Sequence, residues 1–347
     1  MSPSPTRRRS ARSPSRQRPR SSRPLPSKTE LASQREVFLA QAEHCEPRSP
    51  LYAELCRRFA DDPVAGEIVG PDMTWEQPLR LLGGLHYLVL AGEASWDDPL
   101  EEHREFLAEF VRTQGVQTNE VQRSWVLLPL FLRVAERTGA DELDLIELGS
   151  SAGLNLVWDR YRYVYGAAEW GAPDAPLTLA AEEKKPVPAE LLDLRPEVRG
   201  RVGIDRNPID VTTDQGARLL KSFVWAGQTK RLERLDRAIE ALRTDPPELI
   251  QGDIVETLPA VLAERRPNAL TVVFETATLG YLPEGGVERV RSALDEAGEA
   301  GNLAFVATGR GRTGDKHWGL RIAYYPGAER EFAGEADYHG AWLDWWL

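Results

Sequence analysis

Five short apolar runs, each ending in a polar residue or glycine, divide the second half of the chain. They are LDLIEL from Leu143, RVGID to Asp205, ELIQGD to Asp253, LTVVFET to Thr276 and NLAFVATG to Gly309. Helical spacing of apolar residues fills the gaps, over 154–165, 214–225, 232–242, 255–265 and 287–297. Strands alternating with helices in this way predict βαβ units and a mainly parallel sheet. Ligands of such sheets lie beyond the carboxyl ends of the strands, where strand order reverses. The end of the first run is therefore the first place to look for a site. A Pro- and Ala-rich stretch, 166–200, interrupts the alternation as an insertion. LRIAYYPGAEREFAGE after Gly309 predicts an antiparallel hairpin turning at Pro326 and Gly327.

Upstream of Leu143 the pattern is helical. About five helices are expected over 30–140 as an N-terminal cap domain, with 141–347 forming the sheet domain. Ser49 is expected to cap a helix that opens at Pro50 and stops at Pro63. The apolar QPLRLLGGLHYLVLAG is expected to be the most buried helix. The last and longest helix is expected to begin at Thr118 or Asn119 and end at Gly139, bent at Pro129.

Charge separates the first 29 residues from the rest. They hold eight arginines, one lysine and no acid, which leaves −20 on the other 318 residues of a chain of net charge −11. This Arg/Ser/Pro-rich tail is too polar to fold and is expected to be disordered. An acidic body argues against a broad nucleic-acid face, so only the tail suits weak polyanion contact. No apolar run is long enough to cross a membrane. Cys45 and Cys56 form no disulfide framework or metal spacing, which fits a reducing cytoplasm and packing thiols. No second histidine, cysteine or acid stands at ligand spacing from His317 or His339, so no metal site is expected.

The turn Gly149-Ser150-Ser151-Ala152-Gly153 follows the first run. Gly149 permits a sharp bend, and small residues let backbone amides approach a ligand at the start of the next helix. The same residues also suit a plain packing turn. The strands that follow tip the balance: the second ends in Asp205, the third in Asp253, the fourth in Glu275 and Thr276. An acid at the end of the second strand has the geometry to accept from a ribose diol. An acid at the third is placed to accept from an adenine amino group.

This constellation resembles the class I S-adenosylmethionine-dependent methyltransferases. Glu147, Gly149 and Gly153 match the first motif of that family, and Ser151 stands where its middle glycine usually falls. The resemblance implies a Rossmann-like methyltransferase sheet with helices on both faces and S-adenosylmethionine as cofactor. It implies a cofactor site at Glu147, Gly149, Ser150, Ser151, Ala152, Gly153, Asp205, Arg206, Asp253, Ile254 and Phe274. Asp205 would take the ribose hydroxyls, Asp253 the adenine edge, and Arg206 would lie over the adenine, while Phe274 to Thr276 would line the methyl-transfer mouth. The segments QTNEVQRS, ELGSSAGLNLVWDRYRY, GIDRNPID and HGAWLDW are similar to an uncharacterised bacterial family, domain of unknown function 2332. That likeness spans almost the whole chain after the tail and implies a methyltransferase-like fold without an established reaction.

Asn119 and Arg123, four apart at the start of the last cap helix, would share a face toward the methionine carboxylate or the substrate. Thr276 would join them, and Arg160 is expected to face a substrate cleft. Trp158, Tyr161 and Tyr165 read as a core stripe. The function expected is methyl transfer to an unknown small-molecule or protein acceptor. Glu275 or Glu120 would be the base if the acceptor loses a proton. Two alternatives stand beside it. Gly149-Ser150-Ser151-Ala152-Gly153 is literally G-x-S-x-G, the elbow of a serine hydrolase using Ser151, with Glu275 and His317 or His339 completing a triad. A noncatalytic nucleotide-binding or interaction module with the same fold is the other.

Overall fold

The computed structural model describes residues 33–71, 73–117, 119–166, 168–314 and 317–347. The basic tail and Thr118 lie outside the described residues. Six helices come first: α1 (Gln34–Cys45), α2 (Pro50–Phe59), α3 (Pro63–Val69), α4 (Glu76–Ala91), α5 (Arg104–Thr113) and α6 (Arg123–Thr138). Ser33 and Glu36 cap α1 reciprocally, and Ser49 caps α2 with Pro50 in its first turn. Pro63 does not end the helical region. Asp62 accepts from the amides of Val64 and Ala65, so Pro63 opens α3, where its missing N–H costs nothing.

The first five helices share a core built on Phe38, Tyr52, Phe59, Leu82, Leu85 and Leu107, which also takes in Ala226 from beyond the sheet's second strand. The sulfhydryls of Cys45 and Cys56 lie within it, unlinked. The most buried helix is α6, not α4. Trp125, Leu128, Phe131 and Leu132 of α6 belong to the core beneath the sheet. Asn119 is not its N-cap, because the helix begins at Arg123 and Gln122 stands before it without a side-chain cap bond. Gly139, at φ 67°, ends it in the left-handed conformation that glycine adopts without strain.

The remainder runs β1 (Glu142–Leu148), β2 (Arg162–Val164), β3 (Glu169–Trp170), β4 (Thr178–Ala180), β5 (Glu182–Lys185), α7 (Ala189–Leu192), β6 (Glu197–Asp205), α8 (Asp214–Ser222) and α9 (Thr229–Arg243). Then come β7 (Glu248–Gln251), α10 (Ile254–Ala263), β8 (Leu270–Glu275), α11 (Gly286–Gly298), β9 (Leu303–Arg310), β10 (Trp318–Tyr325), β11 (Glu329–Ala336) and β12 (Trp342–Trp345). Nine strands form one sheet in the order β5-β12-β11-β10-β9-β8-β1-β6-β7. All five expected strands are present, and β7, β6, β1, β8 and β9 are mutually parallel. Their order reverses between β1 and β8, the switch point of a doubly wound sheet. β10, β11 and β12 continue it as an antiparallel meander, with the expected hairpin between β10 and β11.

Period-two alternation divides the sheet's two faces. Leu143 and Leu145 of β1, Val272 and Phe274 of β8, and Ala304 and Val306 of β9 face α6. Ile146, Val273 and Phe305 face α10 and α11. The segment after β1 is not the expected continuous helix to Tyr165. It is a 3-10 stretch, Leu154–Arg160, followed directly by β2. Trp158, Tyr161 and Tyr165 are nevertheless core residues, as the stripe predicts. The insertion makes a small sheet, β3-β2-β4, and sends β5 to the far edge of the main sheet, parallel to β12.

Candidate functional site

A cleft of about 1670 Å³ opens at the carboxyl ends of β1, β6 and β8. Its floor is the turn after β1 and the loop 276–281 after β8. The helical region supplies His44, Arg48, Trp75 and Leu79, the start of α9 supplies Arg231 and Arg234, and the C-terminal part supplies Asp337 to His339. Of the sequence-predicted residues, Asn119, Glu120, Arg123, Glu147, Gly149, Ser150, Ser151, Asp205, Arg206, Glu275 and Thr276 all line it. Residues from four separate stretches of chain thus converge at the switch point.

The turn is tightly wound. Gly149, Ser151 and Gly153 all have positive φ, at 75°, 53° and 76°. Four of its five amides are already engaged: Gly149 N donates to Ile204 O at 2.8 Å, Ser150 N to the same oxygen at 3.4 Å, Gly153 N to Ser150 O at 2.8 Å, and Ser151 N to Asp205 Oδ2 at 2.8 Å. A phosphate would have to break these bonds, so the turn is not a phosphate cradle. Two of its members are structural. Ala152 is buried in the core, and a Cβ on Gly153 would meet Pro247 Cγ at 2.8 Å. Gly149 is where the loop after β8 rests, since a Cβ there would come within 2.6 Å of Thr278 Cγ2. Gly149→Ala combines that clash with left-handed backbone, and is expected to cost about 2–4 kcal/mol of stability in denaturant unfolding.

Ser151 explains its own place in the motif. Its φ of 53° is a conformation for which glycine is the unstrained residue. Its hydroxyl donates to Gln117 Oε1 at 2.6 Å. No histidine nitrogen bonds that hydroxyl. His317 is committed elsewhere, at 2.8 Å from both Glu335 Oε2 and Thr313 Oγ1. The strained serine therefore has no general base beside it.

The acids differ sharply. Glu147, on the face of β1 that carries Leu145, is 2 % exposed, and burial pushes its carboxyl up to about 8. Asn155 Nδ2 reaches Oε1 at 3.4 Å, while Oε2 is buried without a hydrogen-bond partner among the described residues. Asp205 accepts from Ser151 N and Asn207 N, one bond to each oxygen, at 2.8 Å. Each oxygen keeps a second lone pair. Asp253 does not reach the cleft. It caps α10 through Val255 N and pairs with Arg206, which holds its carboxyl below the usual range. The adenine role expected for Asp253 is thus replaced by a helix cap, and Arg206 is held by that pair. Ile254 and Phe274 are core residues, Phe274 edge-on to Phe131 at 5.1 Å. Phe274 shares a sheet face with Glu147, its partner in register, but does not line the cleft, whereas Glu275 on the opposite face does.

Neither expected base is free. Glu275 Oε1 accepts from Thr308 N at 2.8 Å and Oε2 from Leu279 N at 3.3 Å, so it pins the loop after β8 to β9. Burial nonetheless raises its carboxyl above the ordinary value. Glu120 is 4 % exposed and lies 2.9 Å from Arg231 Nε and 3.2 Å from Arg234 Nη2. Arg123 donates to Tyr338 O at 3.1 Å and Thr276 Oγ1 at 3.2 Å, stacked 4.8 Å over Trp318. Asn119 Nδ2 reaches Ser150 O at 3.5 Å. Arg160 is outside the cleft, paired with Asp245 and bonded to its carbonyl at 2.7 Å, because the 3-10 winding turns it toward the end of α9.

Sequence reasoning missed Gln117, Arg48, Arg231, Arg234 and the cleft position of His339. The two α9 arginines carry no local signal, as they resemble any charged helix face. It also missed Asp98, Glu102 and His103, whose ligand-type atoms lie within 4.8 Å of one another outside the cleft. Among the described residues no helix is long and apolar enough to cross a membrane. A comparison with curated proteins finds no match. Residues 35–345 match the model of the family described as "Uncharacterized protein conserved in bacteria (DUF2332)", and the chain belongs to that family.

Proposed function

We propose that the cleft binds S-adenosylmethionine and that the chain transfers its methyl group to an acceptor held beneath the helical region. The observation that carries this reading is Glu147: a buried carboxyl among the residues that line the cleft at the switch point, with one oxygen that has no hydrogen-bond partner among the described residues. Once ionised, such a group calls for cationic charge beyond that of Arg123, which already acts to lower its value, because a poorly paired buried carboxylate is strongly unfavourable. The α-ammonium of the cofactor's methionine half answers it. Asp205, at the end of the neighbouring strand, has lone pairs left for a ribose diol. With four of its five amides engaged, the turn suits a nucleoside rather than a phosphate.

When bound, that cofactor supplies an activated sulfonium methyl. The chain's share is to orient the acceptor and exclude water. If the acceptor must lose a proton, His339 is better placed than Glu275 or Glu120. It lines the cleft, its Nδ1 makes no hydrogen bond and lies 4.0 Å from Glu120 Oε2, and burial keeps it neutral.

Calorimetric titration with S-adenosylhomocysteine is expected to show saturable one-to-one binding, weakened at least about tenfold in Asp205→Ala. Absence of any binding to the full-length protein would overturn the reading. Ser151→Ala is expected to leave that binding within about threefold, since only the bond to Gln117 is lost. Labelling of Ser151 by a fluorophosphonate probe would instead restore the serine-hydrolase reading.

A further inference from the structure

Four arginines from different parts of the chain line one region of the cleft: Arg48 after α1, Arg123 at the start of α6, and Arg231 and Arg234 on α9. Glu120 is the one carboxylate bonded to Arg231 and Arg234. The hydrogen bonds of Arg123 go to neutral oxygens, Tyr338 O and Thr276 Oγ1, while Glu120 and Glu147 act on it through charge alone. Arg48 has no carboxylate partner among the described residues. The four feel one another. Burial lowers the Arg231 guanidinium below its ordinary value, and Arg234 and Arg48 lower it further against the pull of Glu120. Burial likewise pushes His339 down to about 4, helped by Arg123, Arg231 and Arg48. His339 is therefore neutral near pH 7 and adds no charge. The Nε atoms of both α9 arginines are buried without a well-aligned hydrogen bond.

Arg123, Arg231 and Arg234 are partly buried and Arg48 is exposed at their edge; partly buried cations in excess over their carboxylates are costly unless a further anion completes the set. The fork of an arginine matches a carboxylate or a phosphate through two parallel bonds. Other residues lining the same cleft are of another kind. Trp75, Leu79, Phe223 and Trp225 line it, with His44 edge-on to Trp225 at 5.5 Å. A free inorganic ion would leave those side chains uncovered.

We propose that this region seats an organic anion, a carboxylate or phosphate carried on an apolar body, with the charged group among Arg48, Arg123, Arg231 and Arg234. The inference rests on the methyl-transfer reading only in naming that anion as the acceptor. The site itself follows from charge and shape.

Ligand-observed NMR on the full-length protein provides the test, with benzoate, its neutral isostere benzamide, and inorganic phosphate as probes. Each titration is run with and without saturating S-adenosylhomocysteine. Benzoate is expected to bind at least about tenfold more tightly than benzamide, and more tightly than phosphate. Saturating S-adenosylhomocysteine is expected to leave its affinity within about threefold. Arg48→Ala, a change at an exposed side chain, and Arg234→Ala are each expected to weaken benzoate by about five- to thirtyfold. Equal affinity for benzoate and benzamide would overturn the proposal, as would affinities unchanged in both variants. Displacement of benzoate by S-adenosylhomocysteine would also overturn it, by assigning the arginines to the cofactor's own carboxylate. If S-adenosylhomocysteine does not bind while benzoate keeps its arginine dependence, the cofactor reading fails and the anion site stands.

Discussion

Glu147→Gln is expected to make the ligand-free protein more stable at pH 8, by on the order of 4 kcal/mol, while abolishing binding of S-adenosylhomocysteine. Burial raises the Glu147 carboxyl from its ordinary 4.5 to about 8. A group whose folded value is raised contributes its stability fully below the unfolded value, here about pH 4.5. That contribution is lost as pH climbs through the folded value near 8. Each unit of difference is worth about 1.4 kcal/mol. Glutamine cannot ionise, so the penalty disappears and the curve of stability against pH flattens between about 4.5 and 8. Chemical denaturation of both proteins across that range measures the difference. A ligand ammonium does the opposite of the substitution. It pairs with the ionised form, so binding below pH 8 should release a proton, visible as a dependence of calorimetric enthalpy on the buffer's ionisation heat. A flat difference between the two proteins across the range would show that Glu147 is ionised and satisfied in the ligand-free fold.

Glu147 also shows how far sequence reaches. Its position at the end of an apolar run, before Gly149, is legible because a β-strand that enters a tight turn has few sequence solutions. That β7, β6, β1, β8 and β9 run parallel follows from the alternation of runs and helices, whereas their order across the sheet is set by which neighbours pair. What stayed hidden depends on side-chain direction and on contacts between distant segments. Glu275 and Asp253 both sit where strand ends predict them, but one pins a loop to β9 and the other caps α10. A carboxylate's lone pairs can be taken by nearby amides, and no spacing rule says which amides arrive. Arg231 and Arg234 reach Glu120 across more than a hundred residues of sequence. Phe274 and Glu275 are adjacent yet face opposite sides of the sheet, and Phe274 packs edge-on to Phe131 in the core although it shares its face with Glu147. The 3-10 winding of 154–160 was missed for a related reason. The apolar spacing of Leu154, Trp158 and Tyr161 serves a core stripe equally well whether or not the segment is a full α-helix.

Glu120→Ala is expected to destabilise the protein by about 3 kcal/mol, and an added anion is expected to restore part of that loss. Two effects compete when the carboxylate is removed. A surface ion pair is worth less than about 1 kcal/mol, whereas breaking a buried one costs about 3–5 because a charge is left without a partner. Glu120 is 4 % exposed while its partners Arg231 and Arg234 are 18 % and 26 % exposed at the side chain. The cations keep some water, which places the cost at the lower end of the buried range. The carboxylate also orders its own neighbourhood, accepting from Gln122 N at 3.3 Å just before α6 begins. If charge dominates, Glu120→Gln, which keeps the shape, should lose nearly as much stability as Glu120→Ala. If packing dominates, glutamine should be close to wild type. Phosphate or benzoate at matched ionic strength should then raise the midpoint of Glu120→Ala more than that of wild type, because each places negative charge where the carboxylate was removed. Sodium chloride at the same ionic strength should not reproduce the recovery, since screening acts on every exposed pair alike while a bound anion acts on these arginines alone.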